Sequence, residues 1–143
     1  MGIQILQYIE SLIQLSMIIM VGLYFIFSNT VMASLSRFES GADVMVEINR
    51  VILNPVFMAV FLISGLGSLY LVIVAEGVLF ISGFLFLVGT TIVTLVRNVP
   101  LNNQLRDAGA EREQVWQSYL DKWVFWNHVR ALAATSSALL LVV

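Results

Sequence analysis

The sequence predicts an all-α integral membrane protein, an antiparallel bundle of four transmembrane helices forming a single domain over residues 1–143. Three observations lead there. Hydrophobic residues make up 59% of the chain and charged ones 11%, against about 25% charged in a soluble domain, so an ordinary water-exposed surface could not be covered. Four apolar segments, at about residues 11–33, 51–74, 78–96 and 123–143, reach the roughly 20 residues that cross a hydrocarbon core of about 30 Å. Alternating strands of about 10 residues, the mark of a transmembrane β-barrel, are absent from the sequence.

Composition also removes whole classes of function. There is no cysteine, hence no disulfide, thiolate ligand, iron–sulfur cluster or cysteine nucleophile. The net charge of −2, with no basic patch interleaved with aromatics, gives no footprint for nucleic acid. The start of the chain lacks Lys and Arg, is interrupted by Glu10, and shows no small-residue cleavage site after the apolar run. It is read as a retained span rather than a cleaved leader.

Taken in order, Gln4, Gln7, Glu10 and Gln14 recur every three or four residues among Ile3, Leu6, Ile9 and Ile13. On a helix they form one polar stripe, read as a helix end in the headgroup region, with a polar wall facing the bundle interior as the alternative. After the first span, charged residues from Arg37 to Arg50 mix with Val44, Met45, Val46 and Ile48, a spacing that suits a short surface helix. Asn54-Pro55 then opens the second span, where proline is well tolerated. Spans two and three are joined by little more than Ala75-Glu76-Gly77, which forces an antiparallel hairpin. Gly65, Gly67, Gly83 and Gly89 are small residues that let membrane helices approach closely, within one chain or between copies in a homo-oligomer. The residue before a proline is pushed away from helical geometry, so Pro100 places the end of span three near Asn98. The chain turns helical again at about Glu111 and runs on into span four.

All seven Lys and Arg lie in or beside the loops after spans one and three, and the N-terminus and the Ala75-Glu76-Gly77 link carry none. The positive-inside rule makes those two loops cytoplasmic and sets both termini on the other side; for a bacterial chain the bilayer would be the cell inner membrane.

The polar exception is Trp123-Val-Phe-Trp126-Asn127-His128-Val-Arg130, at the start of the last apolar run and holding the only histidine. Ionisable groups at such a depth are costly unless paired or functional. Trp116, Tyr119, Trp123, Trp126, Asn127 and Arg130 are linked by steps of three or four and share roughly one helix face, while His128 lies about 100° round from Asn127. An interfacial belt accounts for the tryptophans; Arg130 snorkelling to the surface, and His128 hydrogen-bonding across to another helix, are the structural alternatives. The functional reading gathers Asn98, Asn102 and Asn103 from the end of span three, and Arg37, Asn49 and Arg50 from the first loop, at the same depth. That would make a pocket with aromatic walls, a few amides and guanidiniums, and one imidazole. Imidazole suits proton abstraction near neutral pH, and amides with arginine suit an oxyanion. One histidine without cysteine gives too few ligands for a dedicated zinc or copper site. Haem held by His128 alone has no further support. No G-x-G-x-x-G, P-loop or G-x-S-x-G motif occurs, and spans two and three lack the polar lining of a channel.

Two motifs carry a resemblance. Asn98-Val-Pro-Leu-Asn-Asn103 followed by Trp123-x-x-Trp-Asn-His-x-Arg130 resembles the anthrone oxygenase-like family of membrane proteins, long known as a domain of unknown function. Phe27-Ser28 with Val31-Met32, and Ile48-Asn49-Arg50 with Leu53-Asn54-Pro55, are similar to its bacterial members, so the resemblance spans nearly the whole chain. It implies a lipophilic anthrone- or phenol-like substrate and O2, with neither metal nor flavin, since some fungal members convert anthrones to anthraquinones. On that reading His128 is the base. Asn127, Asn103 and Arg130 hold the oxyanion or orient the substrate; Asn98, Asn102, Asn49 and Arg50 bind it, and Trp123 and Trp126 stack on it. The competing class is a non-catalytic membrane protein that binds a quinone, a lipid, a haem or a partner protein.

Overall fold

Five helices account for almost all of the chain in the computed structural model, which describes residues 2–142; the side chain of Ile3 and residue 143, the predicted limit of span four, lie outside the described residues. They are α1 (residues 2–35), α2 (Gly41–Val51), α3 (Pro55–Val74), α4 (Gly77–Asp107) and α5 (Arg112–Leu141). Among the described residues there is no strand. Within α1, α3 and α4, the stretches Gln4–Leu35, Pro55–Val74 and Gly77–Asp107 are long and apolar enough to cross a membrane. Large side chains such as Phe25, Leu66, Ile73 and Leu132 stand exposed on the outside, as a lipid-facing surface requires. The chain is therefore an all-helical membrane protein. The fourth long helix, α5, is made less apolar by Asn127, His128 and Arg130.

In α1 the buried positions Ile13, Met17, Met20 and Tyr24 follow steps of four, three and four, one face of a helix. Gln4, Gln7, Glu10 and Gln14 are exposed, so the polar stripe faces outward and not into the bundle. The first loop folds as expected into a surface helix: Ala42 and Met45 of α2 are buried, while Asp43, Glu47 and Arg50 face out. Asn54 caps α3, its Oδ1 accepting from the Phe57 N–H at 3.0 Å, and Pro55 occupies the first turn, where no N–H is missed. The hairpin link turns at Gly77, whose φ of +58° is a left-handed conformation that glycine adopts without strain.

Small residues set the helix spacing. A Cβ on Gly83 would stand 2.7 Å from the Leu71 Cβ and 2.9 Å from the Ser68 carbonyl oxygen, and Gly89 faces Ala133 as closely. Ser82 and Ser137 lock α4 to α5, each hydroxyl donating to the other's carbonyl at 2.9 Å. Ser82 pairs with Ser137 and Gly89 faces Ala133, so α4 and α5 pack side by side in opposite directions.

Helix α4 corrects one expectation. It does not end near Asn98 but continues through Pro100 to Asp107. Over Leu87–Ile92 and Thr94–Asn98 its hydrogen bonds widen to the i→i+5 pattern. The Val99 N–H bonds to the Thr94 carbonyl, so the ladder has already shifted where the proline N–H would be missing. A similar widened turn, Phe27–Val31, interrupts α1.

Candidate functional site

A cavity of about 400 Å³ opens at the end of the bundle that carries the charged loops, within the range of small-molecule sites. All five helices contribute: α1 gives Met20, Leu23, Tyr24 and Phe27; α2 and its link give Met45, Asn49, Arg50 and Leu53; α3 gives Phe57 and Phe61. From α4 come Thr94, Asn98, Asn102, Asn103 and Arg106, and from α5 Trp123, Asn127 and Arg130. Three of these, Phe27, Thr94 and Asn98, lie in the widened helical turns, a distortion often found at functional sites.

Arg130 is the centre of the polar end. It is 6% exposed. Its Nη1 donates to Thr94 Oγ1 at 3.2 Å and its Nη2 to Asn127 Oδ1 at 2.6 Å. With its amide oxygen turned toward α5, Asn98 accepts from Arg130 Nη2 and from Trp123 Nε1, both at 3.3 Å; network satisfaction selects this orientation. The guanidinium carbon stands over two rings, 4.6 Å from the Tyr24 centroid and 5.2 Å from that of Trp123, both within cation–π range. Among the described residues no carboxylate comes within ion-pairing distance of it. Asn127, fully buried, also ties α5 to α1 by donating to the Tyr24 carbonyl at 3.1 Å and to Ser28 Oγ at 2.7 Å.

A second layer holds this arrangement. Trp116, Tyr119 and Trp123 stack in series on the buried face of α5, with centroids 5.4 and 5.8 Å apart. Tyr119 donates to Asn102 Oδ1 at 2.9 Å, and burial pushes its phenol well above the usual range, so it stays a donor. At the rim Arg50 pairs with Glu47, at 2.8 Å through Nε, and Arg106 with Asp107 at 2.8 Å and Asn103 Oδ1 at 3.2 Å. The carbonyl oxygens of Asn98, Asn102, Asn103 and Asn127 are thus all engaged inside the protein. Two polar atoms of the wall have no partner, Tyr24 Oη and Asn49 Nδ2.

Eight of the eleven residues expected from the sequence meet at this cavity: Asn49, Arg50, Asn98, Asn102, Asn103, Trp123, Asn127 and Arg130. His128, Trp126 and the exposed Arg37 do not. At 100° per residue, His128 turns away from Asn127 onto the exposed side of α5, alongside Phe125 and Leu132. The pocket therefore contains no imidazole, contrary to expectation. Trp126, assigned to the shared face, sits half-buried at its edge under Arg97, 4.8 Å from its ring. Tyr24, Thr94, Phe57 and Phe61 were not singled out from the sequence. Tyr24 and Ser28 stand one turn apart in α1, a pattern that reads equally well as hydrocarbon with two small interruptions. Among the described residues no three His, Asp or Glu side chains cluster as a metal site.

The cavity can hold a flat apolar molecule against aromatic walls and present a cation to an oxygen at one end. A buried charge without a counter-ion costs several kcal/mol, and a ligand bringing negative charge recovers part of that. No curated protein and no solved structure matches the chain. The sequence model of the family described as anthrone oxygenase matches residues 44–140, a stretch that runs from α2 into the last turn of α5 and supplies most of the cavity wall. By that match, which includes both 98–103 and 123–130, the chain belongs to the anthrone oxygenase family.

Proposed function

We propose that this protein is a membrane oxygenase acting on a lipophilic anthrone-like or phenolic substrate with O2 alone. One observation carries the reading: Arg130, buried and without a carboxylate partner, lines an apolar cavity of about 400 Å³. Such a cation favours a ligand in its ionised form. An anthrone that loses a proton from its central carbon carries the charge on its carbonyl oxygen, and the carbon becomes electron-rich enough to react with O2. Arg130 would hold that oxygen and Asn49 Nδ2 would offer a second donor, while Asn98, Asn127 and Thr94 fix the guanidinium. Trp123, Phe57 and Phe61 would flank the rings. Atoms balance without a reductant: CH2 and O2 give C=O and water, by way of a carbon-bound hydroperoxide. His128, on the outer face, takes no part in this proposal.

The same reading makes α5 the fourth span, closing an antiparallel four-helix bundle. Its charged loops would face the cytoplasm, because the Lys and Arg residues gather there. Substrate would then enter from the bilayer and cytoplasmic edge.

The test is O2 uptake by the purified protein supplied with anthrone, parent against Arg130→Gln. Uptake with anthraquinone formation by the parent, lost in the variant, is expected. A parent that binds anthrone but consumes no O2 is a binding protein, and the oxygenase proposal fails.

A further inference from the structure

The proposed oxygenation moves protons at the reacting carbon, yet the cavity wall contains neither carboxylate nor imidazole. Its ionisable side chains are three arginines and Tyr24. A guanidinium keeps its protons throughout the working range, so Tyr24 alone can both give and take one. The residue is 3% exposed, and its hydroxyl, closed off from solvent, completes no hydrogen bond. Buried phenols normally find a partner; the polar neighbour here is the Thr94 hydroxyl, which accepts from Arg130 and keeps its own proton to donate. The backbone of Tyr24 is held by Asn127 Nδ2, 3.1 Å from its carbonyl oxygen. The Arg130 cation lies 4.6 Å over its ring, near enough to stabilise a tyrosinate.

We infer that Tyr24 is the acid–base catalytic residue of this site, an assignment that rests on the oxyanion reading of Arg130. The bound substrate has released one proton to solvent and is held as its enolate. O2 takes up the electron pair at the central carbon, a C–O bond forms, and the distal oxygen becomes a peroxide anion. Tyr24 Oη–H protonates it, leaving a hydroperoxide and a tyrosinate beside Arg130. The tyrosinate then removes the remaining hydrogen of that carbon as a proton; the C–H pair becomes the C=O π bond, the O–O bond breaks, and hydroxide leaves. Hydroxide joins the first proton as water. Carbon gives up four electrons, O2 accepts four, and Tyr24 ends as it began.

The experiment uses the full chain in detergent with anthrone as the probe. Binding is read without O2 from quenching of tryptophan fluorescence, and turnover from O2 uptake with product analysis. Tyr24→Phe is expected to bind within about 3-fold of the parent while quinone formation falls about 100-fold or more, the usual contribution of a positioned proton carrier, and to release hydroperoxide in place of quinone. Tyr24→His, which restores a proton carrier, is expected to recover about tenfold of that loss. Parental turnover in Tyr24→Phe overturns the assignment and leaves Arg130's role standing. Loss of binding together with turnover overturns it too, making Tyr24 a binding residue, as does a Tyr24→His variant no faster than Tyr24→Phe. A parent that neither binds anthrone nor consumes O2 defeats the oxyanion reading itself.

Discussion

The two faces of α5 at one depth make an instructive pair. Asn127 is fully buried, bonded to Arg130, Tyr24 and Ser28; the next residue, His128, is exposed beside Phe125 and Leu132. In composition the histidine is the more suggestive residue, being the only one of its kind. In space the amide and the guanidinium three residues on share the cavity, because three steps bring a helix back to nearly the same face and one step does not. Helical phase therefore outweighs residue chemistry in deciding which polar groups can cooperate.

The contrast can be broken or sharpened by substitution. The largest effect is expected on the inner face: Arg130→Gln removes the charge while keeping a donor, and anthrone turnover should fall about 10²–10³-fold, as when an oxyanion donor is lost. Unchanged turnover would show that the two faces do not differ in function. Asn127→Leu strips the link between Arg130 and α1 and leaves buried groups unpaired, at about 1–3 kcal/mol of stability. Thermal unfolding in detergent should drop measurably, and turnover should fall less than in Arg130→Gln. Gly67→Leu, which drives a side chain into Ile13, should destabilise by about 1–3 kcal/mol through overpacking while leaving the distant cavity's affinity for anthrone unchanged. On the outer face His128→Ala should alter turnover by less than about 3-fold, in line with an exposed substitution. A loss comparable to that of Arg130→Gln would restore the histidine as the base.

Much of the fold is legible in the sequence because apolar length and small-residue spacing are local properties. The surface helix at Gly41–Val51, the Asn54 cap and the tight hairpin at Gly77 all follow from local patterns. The extent of α4 does not, since Pro100 reads as a stop when the widened turn ahead of it is invisible. At the site, the amides around 98–103 and the α5 motif were legible because they are polar where hydrocarbon is expected. Tyr24 was not: a tyrosine in an apolar run looks like packing until its hydroxyl is found without a partner.

The most direct measurement is the ionisation of anthrone bound without O2, followed by its absorbance against pH in the parent and in Arg130→Gln. A cation within a few ångströms favours the ionised form, so bound anthrone should lose its proton about 1–3 pH units below the free molecule, and Arg130→Gln should abolish the shift. An unshifted ligand in the parent, or the same shift in the variant, would contradict the claim that Arg130 makes this cavity an oxyanion site.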